Sequence, residues 1–336
     1  MSKVLVTGGA GYVGSVCAGE LLARDHSVTV VDDLSTGHIE AVPQGADFNR
    51  VDLGDRDSLS KLLKREHFDV VFHFAAKALI AESVTNPGLF FESNLGAGIV
   101  LLECMRQAGI RNFVFSSTAA VYGNPLQSPV EEDAAKAPVN AYGESKLALE
   151  RILQWYARAY GWSVVAFRYF NASGAVAGNG ERHEPETHIL PLLLQVASGR
   201  REFFEIYGTD YPTPDGTCIR DYVHVLDIAE AHLLALSKLN CPGFRAFNIG
   251  TGRSYSVAEV CEAVRLATGK NITLRMGARR SGDPAVLCAS SSAIKSEFGW
   301  TPSRSDLSTI VESAWKWEQS QAALKTEPEL SRTGLR

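Results

Sequence analysis

Tyr142 and Lys146 lie in a segment that ends near Tyr160 and whose apolar residues recur at helical spacing. Side chains four positions apart share one face of a helix, so this spacing predicts that Lys146 lies beside Tyr142. A free tyrosine hydroxyl ionises near pH ~10, and a neighbouring ammonium group lowers that pKa because it favours the phenolate. The pair suits proton abstraction. A tyrosine and a lysine at this spacing are nevertheless common on solvated helices, so the other motifs decide whether they do chemistry.

A glycine-rich segment, Thr7–Gly14, follows a short apolar strand over residues 3–6 and precedes a helical segment. Its glycines at positions 8, 9, 11 and 14 fit two overlapping registers of a phosphate-binding turn. Glycines let the backbone turn tightly and approach a pyrophosphate, whose charge is stabilised at the N-terminus of the next helix. The strand, turn and helix together are much more specific than the glycine spacing alone, and they predict a dinucleotide site.

Two acidic residues, Asp32 and Asp33, end the next predicted strand. Asp32 is 21 residues after Gly11, where an acidic residue binds the adenosine ribose hydroxyls of a dinucleotide. A carboxylate there repels a 2′-phosphate, so the sequence favours NAD over NADP. Asp33 is the competing candidate, and Asp52, at the end of the third predicted strand, is expected near the adenine.

Three further strands are predicted over residues 69–76, 112–118 and 163–171, with helical segments between them. This alternation predicts an α/β fold built on a doubly wound parallel sheet of the Rossmann type. Such sheets bind ligands at the carboxyl ends of their strands. Thr118 ends one of these strands and is a candidate to bond a reacting hydroxyl group, whereas His73 is interpreted as a core histidine.

The composition restricts the class of protein. The chain has 336 residues and a net charge of −5, which supplies no basic field for nucleic acid or an anionic membrane. Its six cysteines are scattered and contain no C-x-x-C pair, a pattern typical of reduced thiols in a cytoplasmic enzyme. No segment is expected to be apolar over the ~18 residues that a membrane helix needs.

Seven motifs carry a family resemblance. Thr7–Gly14, Ser117–Tyr122 and Tyr142–Lys146 together resemble the extended short-chain dehydrogenase/reductase family. Four more specific motifs are similar to those of UDP-glucose 4-epimerases, and the likeness extends to about Trp317: Arg168–Asn171, Tyr207–Thr213, Arg220–Val225 and Arg279–Asp283.

The resemblance implies an isomerase that inverts C4 of a UDP-hexose by transient oxidation to a 4-keto sugar, with permanently bound NAD. Tyr142 would be the base, Lys146 would lower its pKa and bind ribose, and Thr118 would bond the sugar hydroxyl. The implied NAD contacts are Gly8, Gly11, Tyr12, Val13, Gly14, Asp32, Asp52, Leu53, Phe74, Ala75, Ala76, Asn94, Tyr142, Lys146 and Tyr169. The implied UDP-sugar contacts are Thr118, Asn171, His188, Tyr207, Arg220, Arg280, Asp283 and Leu287.

Two positions depart from the family pattern. Some members carry a cofactor-binding lysine where this chain has Ala78, and Lys77 is one position away. Leu287 occupies the position that lines the 2-substituent of the sugar, where glucose-restricted relatives carry a bulky aromatic residue. Acceptance of N-acetylated sugars therefore stays open.

Competing functions remain. A sugar-nucleotide dehydratase needs an acid/base pair just after Thr118, where this chain has Ala119 and Ala120. An epimerase of UDP-N-acetylhexosamine, UDP-pentose or UDP-uronic acid is the enzyme alternative. A catalytically silent NAD-binding regulator would keep the glycines but has no need of Thr118, Tyr142 and Lys146 together.

We predict an NAD-binding domain over residues 1–174, with contributions that return near residues 221–260. A smaller mixed α/β substrate domain is expected mainly over residues 175–318, and a flexible tail over residues 319–336. The resemblance also implies a homodimer that associates through helices near residues 92–107 and 142–160.

The second half contains candidate anion ligands and no expected metal site. Arg220 and Arg280 are candidate phosphate ligands, because a guanidinium group matches phosphate oxygens. A metal is not expected at His183, Glu184, Glu186 and His188, because Pro185 interrupts them and their spacing fits no usual ligand pattern. Ser256 and Glu259 are predicted to form a capping box at the start of a helix.

Overall fold

The computed structural model describes residues 1–280 and 283–330, with side chains up to residue 321. In the first half of the chain, strands alternate with helices, as the sequence predicts. The strands are β1 (Lys3–Thr7), β2 (Ser27–Asp32), β3 (Asp47–Arg50), β4 (Val70–His73), β5 (Asn112–Thr118) and β6 (Ser163–Tyr169). The helices are α1 (Tyr12–Leu22), α2 (Arg56–Arg65), α3 (Ile80–Thr85), α4 (Pro87–Phe90), α5 (Ala97–Ala108) and α6 (Ala141–Tyr160).

In the second half, most strands are only two to four residues long. They are β7 (Asn171–Ser173), β8 (Ala175–Val176), β9 (Asn179–Gly180), β10 (Phe204–Tyr207), β11 (Ile219–Arg220), β12 (Tyr222–His224), β13 (Gly243–Ile249), β14 (Tyr255–Ser256), β15 (Leu274–Gly277) and β16 (Val286–Leu287). The helices are α7 (Ile189–Ala197), α8 (Val225–Leu236), α9 (Val257–Thr268), α10 (Ser292–Phe298) and α11 (Leu307–Leu330).

Seven parallel strands form the central sheet in the order β13-β6-β5-β4-β1-β2-β3. Successive residues of a strand face opposite sides of a sheet, and β1 shows this directly. Val4 and Val6 pack with residues of α1, α8 and α10, whereas Leu5 packs on the other side with residues of α2, α5 and α6. Helices therefore cover both faces, and the expected doubly wound α/β fold is confirmed.

The turn after β1 depends on glycine. Gly8 has a φ of +73°, and a Cβ atom there would lie 2.4 Å from the backbone nitrogen of Ala75. The end of β1 thus lies directly against the chain that leaves β4, where both run to the carboxyl edge of the sheet. Thr7 and His73 end these strands, and their side chains hydrogen-bond at 2.7 Å. His73 is buried, which confirms its interpretation as a core residue.

One helical run contradicts the expectation about membrane segments. A π-helical turn (Phe91–Gly96) joins α4 to α5, and the resulting run, Pro87–Ala108, has 22 residues and a mean hydropathy of 1.3. By length and composition it could cross a membrane. Its residues Leu101, Leu102 and Met105 are instead fully buried against the sheet. The run therefore packs one face against the sheet, and 39% of its apolar window is buried.

The second half has a core of its own, formed by residues of α7, α9, α11 and β10. Its α9 begins with the predicted capping box: the Ser256 hydroxyl accepts from the Glu259 amide, and the Glu259 carboxylate accepts from the Ser256 amide. The final helix continues to Leu330, so residues 319–330 of the expected tail are helical. Residues 331–336 of that tail, and Ser281 and Gly282 of the arginine motif, lie outside the described residues.

Candidate active site

A cleft of about 1730 Å³ extends along the carboxyl edge of the central sheet and continues under the second half of the chain. All the residues expected to contact NAD line this cleft except Asn94, and all those expected to contact the UDP-sugar line it. Residues spread along the sequence from Gly8 to Leu287 therefore line one continuous cleft.

Tyr142 lies in the first turn of α6, which begins where the Asn140 side chain accepts from the Gly143 amide at 2.8 Å. A Cβ atom on Gly143 would lie 2.6 Å from the carbonyl oxygen of Ala120, so only glycine lets α6 approach the turn after β5 this closely. That approach brings Tyr142 close to Thr118, and both side chains line the cleft. Two residues from separate motifs, Tyr142 and Thr118, thus meet in the cleft.

Lys146 is buried at one turn beyond Tyr142, and its Nζ donates to the carbonyl oxygen of Ser116 at 2.8 Å. Burial lowers the pKa of Lys146 to about 7. Burial also raises the pKa of Tyr142, and the hydrogen bond with Thr118 only partly opposes it. In the chain alone, the pKa of Tyr142 is therefore shifted in the direction opposite to the one expected from the helical spacing, because that argument omitted burial.

A buried ion pair supports this arrangement, and the sequence reasoning missed it. Glu150, one turn after Lys146, binds Arg168 of β6 through both carboxylate oxygens, at 3.0 Å and 2.7 Å. The same carboxylate accepts from the Ser117 hydroxyl group at 2.5 Å, so α6, β5 and β6 are joined beside the reactive residues. The motif around Arg168 signals this residue, but no short-range pattern connects it to Glu150.

Asp32 is the acidic residue held at the cofactor end of the cleft. Its carboxylate accepts from the Ala10 amide at 3.0 Å and from the Leu34 amide at 2.9 Å, which fixes it against the glycine-rich turn. Asp33 is exposed and accepts from the Ser35 amide at 2.8 Å. The first candidate of the pair is thus the buried one, although both line the cleft.

Asn94 does not line the cleft, so its expected direct role is not supported by its position. It is buried and binds both backbone groups of Lys77, accepting from the amide at 2.8 Å and donating to the carbonyl oxygen at 3.0 Å. It therefore positions the segment after β4. Lys77 itself lines the cleft, and its Nζ donates to the Ser35 hydroxyl group at 3.2 Å, beside the Asp32 loop.

Tyr169 is oriented by a histidine that the sequence analysis did not select. His232 of α8 is fully buried, with Nδ1 2.9 Å from the Ile228 carbonyl oxygen and Nε2 2.7 Å from the Tyr169 hydroxyl group. Since a carbonyl only accepts, Nδ1 carries the proton and Nε2 accepts from Tyr169. Burial lowers the pKa of His232 to about 4, which keeps it in this neutral form.

The expected substrate residues lie at the other end of the cleft. Arg220 of β11 binds the Asp283 carboxylate, and the guanidinium group of Arg280 lies 4.0 Å from the ring centre of Tyr207. Leu287 of β16 pairs with Arg220 in the ladder between β16 and β11. Two arginines and an aromatic ring thus converge there, which suits an anionic, planar ligand such as a nucleotide.

His188 also lines the cleft, in a loop that brings it together with Glu181, His183 and Glu186. One potential metal-binding atom from each of the four lies within 4.8 Å of all the others. The sequence argument against a metal considered helical spacing and omitted Glu181. The loop, which is not helical, brings the four side chains together nonetheless.

Comparison with known proteins gives a consistent result. The profile of the NAD dependent epimerase/dehydratase family matches residues 4–250. The chain is 48% identical over 328 residues to the UDP-glucose 4-epimerase of Corynebacterium glutamicum, which covers 96% of this chain and 99% of the relative.

Solved structures agree. The UDP-glucose 4-epimerase of Brucella ovis in complex with NAD has a TM-score of 0.91 at 42% identity, over 95% of this chain and 98% of that one. The enzyme of Bifidobacterium longum in complex with NAD+ and UDP also has a TM-score of 0.91, at 32% identity, over 96% of this chain and 99% of that one.

Proposed function

The chain belongs to the NAD dependent epimerase/dehydratase family, and from this premise we propose that it interconverts UDP-glucose and UDP-galactose by inverting C4 of the sugar. The observation that carries the proposal is the meeting of Tyr142, Thr118 and Lys146 in one cleft that also contains a glycine-rich turn and two arginines. Galactose metabolism is the corresponding cellular process.

The cleft fits NAD. The N-cap residue of α1 is Gly11, which makes no side-chain cap, so the first amide groups of the helix are free to bind a pyrophosphate. The buried Asp32 carboxylate lies beside this turn, where it would accept from ribose hydroxyl groups. When bound, NAD supplies a positively charged ring and the capacity to take up and return the C4 hydride, so the net redox change is zero.

Side chains of the protein transfer the proton of the C4 hydroxyl group. Tyr142 removes it from the C4 hydroxyl group, and Thr118 bonds the same oxygen and fixes the tyrosine. Because burial raises the pKa of Tyr142, a phenolate requires positive charge close by, and we assign part of that charge to Lys146, one helical turn away. Tyr142 later returns the proton when the other C4 epimer forms.

Ala119 and Ala120 line the cleft just after Thr118 and offer no titratable group. A sugar-nucleotide dehydratase needs an acid and a base there to eliminate water. Epimerisation, which requires only one proton acceptor, is the reaction that this wall of the cleft supports.

The lining of the cleft near the sugar also supports a second class of substrate. Leu287 is half-buried and lines the cleft beside Arg220, and its side chain is smaller than an aromatic ring. This favours additional acceptance of a UDP-N-acetylhexosamine. Among the described residues of the cleft, no feature specifically favours UDP-pentoses or UDP-uronic acids.

We also propose a homodimer through α5 and α6, which cover the same face of the sheet. Phe91, in the turn before α5, is 38% exposed, and Trp155 of α6 is 67% exposed. Trp155→Glu should give monomers by light scattering, whereas Leu126→Glu, a control on an exposed loop residue, should leave the dimer intact.

The expected location is the cytoplasm, since all six cysteines are free and five of them are buried. A net charge of −5 argues against nucleic acid or an anionic membrane as a partner.

Purified protein incubated with UDP-galactose and no added NAD tests the function. NMR of the anomeric proton should show conversion to UDP-glucose, because the cofactor stays bound through turnover. A protein that retains NAD but leaves UDP-galactose unchanged would be a silent NAD-binding regulator, and the proposal would be wrong.

A further inference from the structure

The loop between β9 and α7 contains four potential metal ligands: Glu181, His183, Glu186 and His188. We propose that they bind one divalent transition-metal ion of the Zn²⁺ class, with one carboxylate oxygen of each glutamate and Nδ1 of each histidine as ligands. This site is separate from the proton transfer at Tyr142, and it does not depend on the proposed epimerase activity.

The distances between the donor atoms suit a tetrahedral ion. His188 Nδ1 lies 2.9 Å from Glu186 Oε1 and 3.1 Å from Glu181 Oε1, and His183 Nδ1 lies 3.3 Å from the same Glu181 oxygen. Ligands at the usual Zn–N and Zn–O distances of about 2.0–2.1 Å are separated by roughly 3.3 Å in a tetrahedron. The other pairs of donor atoms lie within 4.8 Å of one another, so side-chain rotations that close this gap would place an ion among them.

His183 supplies an independent sign of a missing partner. Its Nδ1 atom is buried and makes no hydrogen bond with any described residue, although Glu181 Oε1 lies 3.3 Å away. Buried polar atoms are rarely left without a partner, and an imidazole nitrogen in this state suits a metal ligand.

Glu186 is already oriented for binding. Its Oε1 accepts from the amides of Thr187 and His188, both at 2.8 Å. Such hydrogen bonds to a carboxylate fix its direction and are typical of the groups that surround metal ligands. The second oxygen, Oε2, has a longer contact of 3.4 Å with the His183 amide, so it is the oxygen with a lone pair more readily available to an ion.

The negative charge of the two glutamates suits a divalent cation. Glu181 and Glu186 carry two negative charges, and their side chains are only 10% and 7% exposed. A divalent cation balances both charges and uses all four donor atoms.

The loop position indicates the role of the ion. Asn179 binds Ser15 of α1 at 2.5 Å, and the Arg182 carbonyl oxygen lies 3.0 Å from His38 Nε2, so the loop contacts the first half of the chain across the cleft. An ion between residues 181 and 188 would fix this loop and the His188 wall of the cleft. We therefore expect a structural clip, and no direct part in the redox step.

The test uses untagged, full-length protein with the NAD that it retains on purification. After dialysis against a chelator, titration with ZnCl₂ by calorimetry should show one ion per chain and a rise in the midpoint of thermal unfolding. His183→Ala and Glu186→Gln should each weaken binding about 10-fold or more, and Co²⁺ should give the visible absorption of a tetrahedral site only in the wild-type protein.

Two matched controls make the result specific. Glu184→Gln changes an exposed carboxylate of the same loop, and His67→Ala removes an exposed histidine elsewhere, so both should bind Zn²⁺ as the wild-type protein does. The proposal is overturned if wild-type protein takes up no stoichiometric Zn²⁺. It is also overturned if His183→Ala and Glu186→Gln bind it as tightly as the controls. Neither result would bear on conversion of UDP-galactose.

Discussion

Thr118 and Tyr142 are placed by β5 and α6, which are anchored in the seven-stranded sheet, whereas Arg220 and Leu287 lie on two-residue strands of a small separate sheet. Beside the first pair, the buried Glu150 and Arg168 join three elements. Beside the second pair, the partner of Arg220 is Asp283, which borders the cleft. The reactive end is thus held by the interior of the protein, and the substrate end by contacts that a ligand is able to replace.

This contrast has a physical reason. Proton transfer requires atoms at fixed hydrogen-bonding distance, and buried elements provide that precision. Sugar selection depends on how the wall of the cleft fits the substituents that differ between substrates. The short strands that carry this wall tolerate changed side chains. Substitutions at the reactive end should therefore abolish turnover or stability, while those at the substrate end should change preference.

The largest effect is expected from Tyr142→Phe. Turnover should fall by about 10²–10⁴-fold or more, because the proton acceptor is lost, while NAD remains bound. Steady-state conversion of UDP-galactose measures turnover, and the absorbance of protein-bound NAD measures retention of the cofactor. Tyr160→Phe, at the exposed end of the same helix, is the control. Near-normal turnover of Tyr142→Phe would show that Tyr142 is not the base.

Glu150→Gln tests the anchoring of the reactive end. Removing one partner of a buried ion pair leaves Arg168 without its counter-charge, and such changes cost about 3–5 kcal/mol. Urea unfolding should show this loss. Glu262→Gln breaks an exposed Glu–Arg pair on α9 and should leave the free energy of unfolding almost unchanged. Equal effects in the two variants would contradict the contrast.

Leu287→Tyr tests the substrate end. A larger ring beside Arg220 should reduce turnover of UDP-N-acetylgalactosamine relative to UDP-galactose by about 10–200-fold, the range for steric discrimination in a pocket. The kcat/KM ratio of the two substrates is the measurement, and Leu266→Tyr, exposed on α9 outside the cleft, is the control. An unchanged ratio would show that Leu287 does not select the sugar.

Ser256→Ala should have the smallest effect. Loss of the cap at the start of α9, and of the hydrogen bond that the Ser256 hydroxyl group donates to Asp215, is expected to lower the free energy of unfolding by about 1–2 kcal/mol. Turnover should not change, because this helix end is outside the proton-transfer site. Ser237→Ala, whose hydroxyl group is exposed at the end of α8, is the control. If Ser256→Ala lost activity without losing stability, the second half of the chain would need the same precise positioning as the first half, and the contrast would be wrong.

Local patterns in the sequence determined the glycine-rich turn, the helix with Tyr142 and Lys146 on one face, Thr118 at the end of its strand, and the capping box at Ser256. These features depend on residues within a few positions of one another, so periodicity and turn chemistry are enough to predict them.

Only the tertiary structure decided which distant residues meet. Glu150 binds Arg168, and His232 orients Tyr169. Asn94, which does not line the cleft, binds the backbone of Lys77, which does. The raised pKa of Tyr142 and the meeting of His183 with Glu181 likewise follow from burial and chain path. Spacing along a sequence contains no information about burial or about where the chain returns, and these two quantities set both the pKa of a residue and its neighbours.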